Sequence, residues 1–316
     1  MGAGPDGRGW LGAGRDGGGM VRRWLVTGCS SGLGRALAAA AARAGHDVAA
    51  TARKTADLDD LVAAWPGRIL PIPLELRDAA QCEEAVRVAA DLLGGIDVLV
   101  NNAGAGLFGA VEEVSDAEVR DQLETLVVGP WRLVRLVLPL MRAQGHGHIV
   151  NVSSTAGRMP FPGLGAYVTG KHALEGMSRT LAAEVAPQGI RVTVIEPGGF
   201  ATRYGASLAE SGRRLSAYST VTAETLRGVR GMAENPDMGR PEDCAAQVLG
   251  IVGADGPGPL RIPIGDDAYA SLEAVEQASR EELAAARALT RSTPPRPSAT
   301  PPPAQGHGPE RPGSGG

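Results

Sequence analysis

Tyr167 and Lys171 stand four residues apart in the run YVTGK, a spacing that puts both side chains on one face of a helix. A phenol near its ordinary pKa of about 10 exchanges protons poorly at neutral pH. A neighbouring ammonium favours the phenolate and lowers that pKa. The pair therefore has the makings of an acid–base couple, a role that typically contributes about 10²–10⁴-fold in rate. Taken alone, the same spacing also describes an ordinary contact on a helix surface.

A second chemistry-bearing stretch is TGCSSGLG, residues 27–34, between the apolar Trp24-Leu25-Val26 and the alanine-rich Ala36-Leu37-Ala38-Ala39. It sits where a strand turns into a helix. Glycines there let the backbone bend sharply and approach a ligand, while the first helical N–H groups and the helix dipole favour negative charge. A pyrophosphate meets that description. The spacing Gly28-x3-Gly32-x-Gly34 differs from GxGxxG, and by itself a structural glycine turn accounts for it equally well.

These residues need a scaffold, and the chain supplies an alternating one. Apolar strand-like runs recur at Trp24–Val26, Asp47–Thr51, Leu70–Leu74, Val98–Val100, His148–Val152, Arg191–Ile195 and Leu260–Ile264, separated by longer helix-like segments. Several are apolar nearly throughout, as strands are when helices cover both faces of a parallel sheet. The expected fold is α/β: a Rossmann-like, doubly wound parallel sheet of about seven strands with helices on both faces, over residues 20–290. Residues 1–19 lack the apolar stretch of a signal peptide and are expected to be a disordered extension or an overcalled start, with Met20 the true beginning. Residues 291–316, RSTPPRPSATPPPAQGHGPERPGSGG, are expected to be a disordered Pro/Gly-rich tail.

With 31 basic and 35 acidic residues, a net charge of −4 gives no electrostatic footprint for nucleic acid or an anionic membrane. A small-molecule partner is expected instead. No stretch nears the roughly 20 consecutive apolar residues of a membrane span. Cys29, Cys82 and Cys244 have no metal-ligand or CxxC spacing, so reduced thiols in a cytoplasmic protein, and no metal, are expected.

Three further motifs have their own order: NNAG at 101–104 closes the fourth strand, NVSSTAG at 151–157 closes the fifth, and EPGGFAT spans 196–202. Together with TGCSSGLG and YVTGK they resemble the short-chain dehydrogenase/reductase family in its single-domain branch. NNAGAGLFGAVEEVS and PFPGLGAYVTGKHALEGMS are most similar to its hydroxysteroid and retinol dehydrogenase members. The resemblance implies a Tyr-Lys-Ser mechanism. Tyr167 would donate a proton to a carbonyl being reduced, Lys171 would hold the nicotinamide ribose and tune the phenol, and Ser154 would hydrogen-bond the substrate oxygen. Ser153 would serve the backbone, and His172 is an ordinary helix residue.

By the same resemblance Gly28, Ser30, Ser31, Gly32, Leu33 and Gly34 form the cofactor turn. Glu75 and Leu76 fall near the adenine, Asn102, Ala103 and Gly104 along the adenosine ribose, and Pro197, Gly198 and Thr202 at the carboxamide, with Ile195 against the nicotinamide ring. The second strand ends in Ala52-Arg53, where NAD-preferring relatives carry an acidic residue. A guanidinium contacts a phosphate through charge-assisted bonds worth about 1.5–3 kcal/mol each. NADP(H) is therefore expected over NAD(H), with Ser30 and Lys54 assisting Arg53.

One position departs from the family. Its members commonly carry an asparagine in the helix after NNAG, holding a water that links the lysine to solvent; here Glu124-Thr125-Leu126-Val127 puts Leu126 there. Leucine neither donates nor accepts, so a slower or rerouted proton supply is expected, with Gln122 one helical turn earlier as a candidate polar group. On the substrate side, Leu107, Phe108, Phe161, Leu164 and Phe200 are expected to converge with Ser154 and Tyr167 at the carboxyl ends of the strands. They imply a lipophilic ketone or aldehyde and its alcohol, under a lid over 199–239. The resemblance further implies a homodimer or homotetramer built on helices around 116–143 and 167–187. Two other readings stay open: a non-net-redox epimerase or dehydratase on the same fold, and an NADP(H)-binding regulator without catalysis.

Overall fold

The computed structural model describes residues 20–256 and 258–292; residues 1–19 and 293–316, where the two expected tails fall, lie outside the described residues. Strands and helices alternate through β1 (Arg23–Val26), α1 (Gly32–Arg43), β2 (Asp47–Ala52), α2 (Asp59–Ala64), β3 (Ile69–Pro73), α3 (Ala79–Leu93) and β4 (Val98–Asn101). The chain continues with β5 (Leu107–Phe108), α4 (Asp116–Leu123), α5 (Gly129–Gln144), β6 (Gly147–Val152), α6 (Gly165–Val185) and β7 (Ile190–Pro197). Then follow β8 (Ala209–Glu210), α7 (Ser219–Arg230), α8 (Pro241–Gly253), β9 (Arg261–Ile264) and α9 (Asp266–Ser292).

Seven strands form one parallel sheet in the order β3-β2-β1-β4-β6-β7-β9. The doubly wound architecture is thus present, and each expected strand lies within two residues of its expected bounds. Side chains alternate along each strand, and both sets are predominantly apolar. Trp24, Val26, Val48 and Val100 pack with α1 and α8 on one face, while Leu25, Ala49, Leu99 and Ile149 pack with α3, α5 and α6 on the other. Each fully buried Val, Leu or Ile side chain among them contributes about 1.5–3 kcal/mol, and the strands also bury polar residues, among them Asp47, Asn101, His148, Asn151, Thr193 and Glu196. Strand order reverses beside β1, where the chain has β2 on one side and β4 on the other. Open α/β sheets bind ligands in the crevice at that switch point, outside the carboxyl ends of the strands.

The short strands β5 and β8 pair in parallel as a separate ribbon, Leu107 opposite Ala209 and Phe108 opposite Glu210. Sequence reasoning did not find this ribbon, because two-residue strands carry no period. It attaches the segment 199–239 to the body of the fold. The roots of that segment meet, with Ala201 N donating to Gly239 O and Gly239 N to Gly199 O, both at 2.9 Å. Glu113 anchors its middle: the fully buried carboxylate accepts from Ala110 N at 2.8 Å, Leu215 N at 2.6 Å and Arg214 Nη1 at 2.7 Å.

The helix expected over 116–143 is not uniform. A π-helical turn, Glu124–Val128, separates α4 from α5, and such insertions are frequent at functional sites. The compact body that carries the sheet ends at Val275; the chain from Glu276 forms a second unit. That unit is helical to Ser292, two residues into the expected tail.

Candidate active site

The glycine turn after β1 is built from two different uses of glycine. Gly28 and Gly32 have φ of 74° and 59°, left-handed values that L side chains rarely adopt. Gly34 has no such conformation; a Cβ there would run into the Asn102 amide and the Gly28 carbonyl. It lets α1 approach the loop and does not itself line the cleft described below, unlike its expected contact with cofactor. Ser31 precedes α1 in extended backbone, and no side chain caps the helix. The first-turn N–H groups are thus left to whatever lies over the turn. NNAG braces this turn: Thr27 Oγ1 accepts from Asn102 N and Ala103 N, and Asn102 Nδ2 donates to Thr27 O, each at 2.9 Å. The Asn102 amide, expected along a ribose, is therefore committed to holding the turn.

On the other side of β1, α6 carries Tyr167 and Lys171 on one face, with Lys171 Nζ over the phenol ring, 5.7 Å from its centroid. The ammonium donates to Val152 O at 2.7 Å. It is buried, and burial pushes its pKa down to about 8, opposed by Glu175. Burial also raises the phenol of Tyr167 above its ordinary value, against the influence of the Ser154 and Tyr204 hydroxyls. This corrects the expectation of a lowered pKa. The ammonium lies over the ring, and desolvation of the phenolate is the largest effect on the phenol. Tyr167 is consequently protonated at neutral pH, the form that donates. Ser154 opens the turn Thr155–Gly157 and accepts from Ala156 N at 3.2 Å.

A cleft of about 940 Å³ joins the two sides. From the β2 and β3 side it is lined by Arg53, Glu75 and Leu76, in the middle by Gly28, Ser30, Ser31, Gly32 and Leu33, with Asn102, Ala103 and Gly104. From the β6 and β7 side it is lined by Ser154, Tyr167, Lys171, Pro197, Gly198 and Thr202. Thr202 carbons lie 3.4 Å from where a Cβ on Gly32 would be, so the root of the 199–239 segment sits over the glycine turn. Leu107, Phe161, Leu164 and Phe200 also line the cleft.

Several expectations need correcting. Phe108 is 0 % exposed and packs with Leu164 and Leu208 under the Arg214 guanidinium, so it is core material beneath the 199–239 segment and not cleft wall. Ile195 is wholly buried inside the sheet core, short of the cleft. The Glu75 carboxylate is held by Arg77 through Nε and Nη2, both at 3.1 Å, and the Leu76 carbonyl accepts from Arg132 at 2.7 Å. Both groups thus have partners within the protein. Gln122 donates to Ala105 O at 2.7 Å and does not replace the missing asparagine. Leu126 is 1 % exposed, packed against Gly104 and Gly170 at 3.0 Å and 2.8 Å from their notional Cβ positions; the Lys171 Nζ lies 3.9 Å from the first of these points. His172 is exposed and bonds Val168 O at 2.9 Å. The three cysteines are free and buried, and burial pushes the Cys29 thiol up to about 12.

Sequence reasoning missed Tyr204. Its ring centroid lies 5.6 Å from that of Tyr167, tilted by 53°, and it lines the same cleft. Its hydroxyl is buried without a partner in hydrogen-bond geometry, and burial beside Tyr167 holds it well above the ordinary phenol range. A lone tyrosine in a polar, irregular segment gives no signal of such a placement.

Fold, glycine turn and Tyr-Lys-Ser cleft together define an oxidoreductase of the dinucleotide-binding α/β class. The short chain dehydrogenase family model matches residues 22–212, and the chain belongs to that family. It is 39 % identical over 253 residues to the "Oxidoreductase BOA17" of Botryotinia fuckeliana (strain B05.10), covering 79 % of this chain and 90 % of that one. A crystal structure of a short-chain dehydrogenase from Streptomyces avermitilis matches with a TM-score of 0.78 at 40 % identity, covering 87 % of this chain and 99 % of that one. An alcohol dehydrogenase from Thermococcus sibiricus, solved with 5-hydroxy-NADP, matches with a TM-score of 0.64 at 25 % identity, covering 78 % and 96 %. Among the described residues no helix is long and apolar enough to cross a membrane.

The close approach at Gly34 makes a prediction. Gly34→Val forces a branched side chain against Asn102 and the Gly28 carbonyl, overpacking that costs about 1–3 kcal/mol. The melting temperature is expected to fall by a few degrees, and dinucleotide affinity, read by fluorescence titration, to fall at least about tenfold. Wild-type values for both would show that α1 has room to retreat.

Proposed function

We propose that the protein is an NADP(H)-dependent reductase that interconverts a lipophilic ketone or aldehyde and its alcohol. The observation that carries this reading is one continuous cleft with an uncapped helix N-terminus at its centre, Arg53 on one side, and Tyr167, Lys171 and Ser154 on the other. Gly28 and Gly34 let the turn close tightly against Ala103 and Asn102, and the first-turn N–H groups of α1, which no side chain caps, open onto the cleft, so the residues present fit a dinucleotide. The nicotinamide group, when bound, supplies or takes up the hydride.

The chain's own residues do the rest. Ser154 orients the carbonyl oxygen. Tyr167 gives its proton to that oxygen as charge develops on it, and the Lys171 ammonium stabilises the phenolate left behind. Leu107, Phe161, Leu164 and Phe200 keep water from the reacting carbon and select an apolar substrate. Arg53, unpaired among the described residues and exposed at the cleft edge, supports NADP(H) over NAD(H). Tyr204, aimed at the same centre, is read as a further wall of the substrate site. Exposed Val128 and Trp131 on the helical run 116–143 support self-association into a homodimer or homotetramer, and a cytoplasmic location is consistent with three free thiols.

The test is a panel of steroid, retinoid, polyketide-like and simple carbonyl compounds with NADPH, followed at the nicotinamide absorbance band. Oxidation of NADPH is expected. Product without net oxidation would make it an epimerase or dehydratase, and tight NADPH binding without any product would make it a regulator.

A further inference from the structure

Below the reacting centre, the face of α6 that carries Lys171 continues one turn to Glu175, and both residues are buried, 5 % and 6 % exposed. β7 brings Glu196, 0 % exposed, into the same region. Neither carboxylate oxygen of Glu175, nor Oε1 of Glu196, has a hydrogen-bond partner among the described residues. Glu196 Oε2 lies 3.5 Å from Arg158 Nη1. Gly157 makes the room: a Cβ there would stand 2.5 Å from Ser153 Oγ and 3.1 Å from Glu175 Oε1. Buried ionisable groups persist in an interior where they are paired or give up their charge, and the reaction proposed above uses neither carboxyl.

The charged and titratable neighbours of Glu175 are Lys171 and Arg179 on α6, Ser153 and Arg158 after β6, Glu196 on β7 and Arg261 on β9. Burial holds both carboxyls above the usual carboxylate range, and Glu175 raises Glu196 further, as two acids do when they share one site. The same burial depresses Lys171, and Glu175 is the group that opposes this.

We infer that Glu175 is a positioning residue: its buried carboxylate, unpartnered among the described residues and one helical turn from Lys171 on the same face of α6, is the counter-charge that keeps Lys171 an ammonium where Leu126 offers no polar group. The inference rests on the proposed role of Lys171 in stabilising the Tyr167 phenolate. If Lys171 loses its proton it can no longer do so, so reduction is lost as pH rises through the Lys171 pKa. Removing the Glu175 charge moves that limb to lower pH.

The chain contains two lysines, Lys54 and Lys171, which makes the test direct. In the full chain labelled with ε-¹³C-lysine, the Lys171 resonance is followed through a pH titration while exposed Lys54 serves as internal reference. Glu175→Gln is expected to lower the Lys171 midpoint by about one pH unit, the scale of a close charge partner. Glu175→Asp should stay near wild type. Glu175→Leu, which fills the site with an uncharged side chain of similar volume, is expected to lower the midpoint likewise, and it keeps the idea falsifiable if Glu175→Gln does not fold. A Lys171 midpoint unmoved in folded Glu175→Gln or in folded Glu175→Leu overturns the inference. The titration needs no turnover, so its failure is separate from failure of the carbonyl screen. In an active enzyme the alkaline limb of kcat should shift with the same sign, whereas a merely structural Glu175 would lower the amplitude and leave the limb in place.

Discussion

Tyr167→Phe is expected to lower turnover with NADPH by about 10²–10⁴-fold, the usual contribution of a positioned proton donor, equivalent to about 3–5 kcal/mol of barrier. The hydroxyl is the group at issue, because the ring does separate work. It packs against Tyr204 and joins the cluster around Phe108, Leu164 and Leu208, and phenylalanine keeps that contact. Melting temperature and NADPH affinity should therefore match wild type while kcat collapses. In the protein the phenol is held above its ordinary pKa by burial, so the wild type is protonated across the neutral range and reduction should not need acid. Stopped-flow measurement of NADPH oxidation under single-turnover conditions isolates the chemical step. Retention of more than about a tenth of the wild-type rate, against the expected fold-loss, would mean that another group lining the cleft, such as Tyr204, supplies the proton.

Arg53→Glu is expected to invert cofactor preference. Two charge-assisted bonds to a 2′-phosphate, taken at the low end of about 1.5 kcal/mol each because Arg53 is exposed, amount to roughly 3 kcal/mol, or about 10²-fold in kcat/KM with NADPH. The new carboxylate repels that phosphate and can accept hydrogen bonds from the free ribose hydroxyls of NADH. Activity with NADH should hold or rise. Arg53 makes no ion pair among the described residues, while neighbouring Arg77 is tied to Glu75. The substitution therefore removes no structural contact, and stability should stay within about 0.5 kcal/mol of wild type. An unchanged NADPH-to-NADH ratio would place phosphate recognition elsewhere, with Arg77 the next cation lining the cleft.

Much of the fold was legible because its signals are local. Strands buried on both faces must be apolar at consecutive positions, so the seven runs could be read from residue order alone. The same holds for Tyr167 and Lys171, whose four-residue spacing becomes a shared face as soon as the segment is helical. Departures were legible too: Leu126 stood out in sequence and is found buried against Gly104 and Gly170.

What residue order left undecided lies wherever one residue type serves two environments. Phe108 and Phe161 are the same side chain a few positions from a motif, yet one is sealed in the core and the other lines the cleft, because only the β5–β8 ribbon decides which way that loop turns. Glu75 lies on the cleft, but Arg77 has taken its carboxylate. Residue order by itself determined the parallel sheet, the glycine turn and the Tyr-Lys couple, since each follows from a repeat within one or two turns of chain. Tertiary structure alone decided that Tyr204 meets Tyr167, that Glu113 fastens the 199–239 segment, and that Glu175 and Glu196 share the interior beneath Lys171. Those contacts join residues far apart along the chain, and their energies depend on burial, which no local pattern encodes.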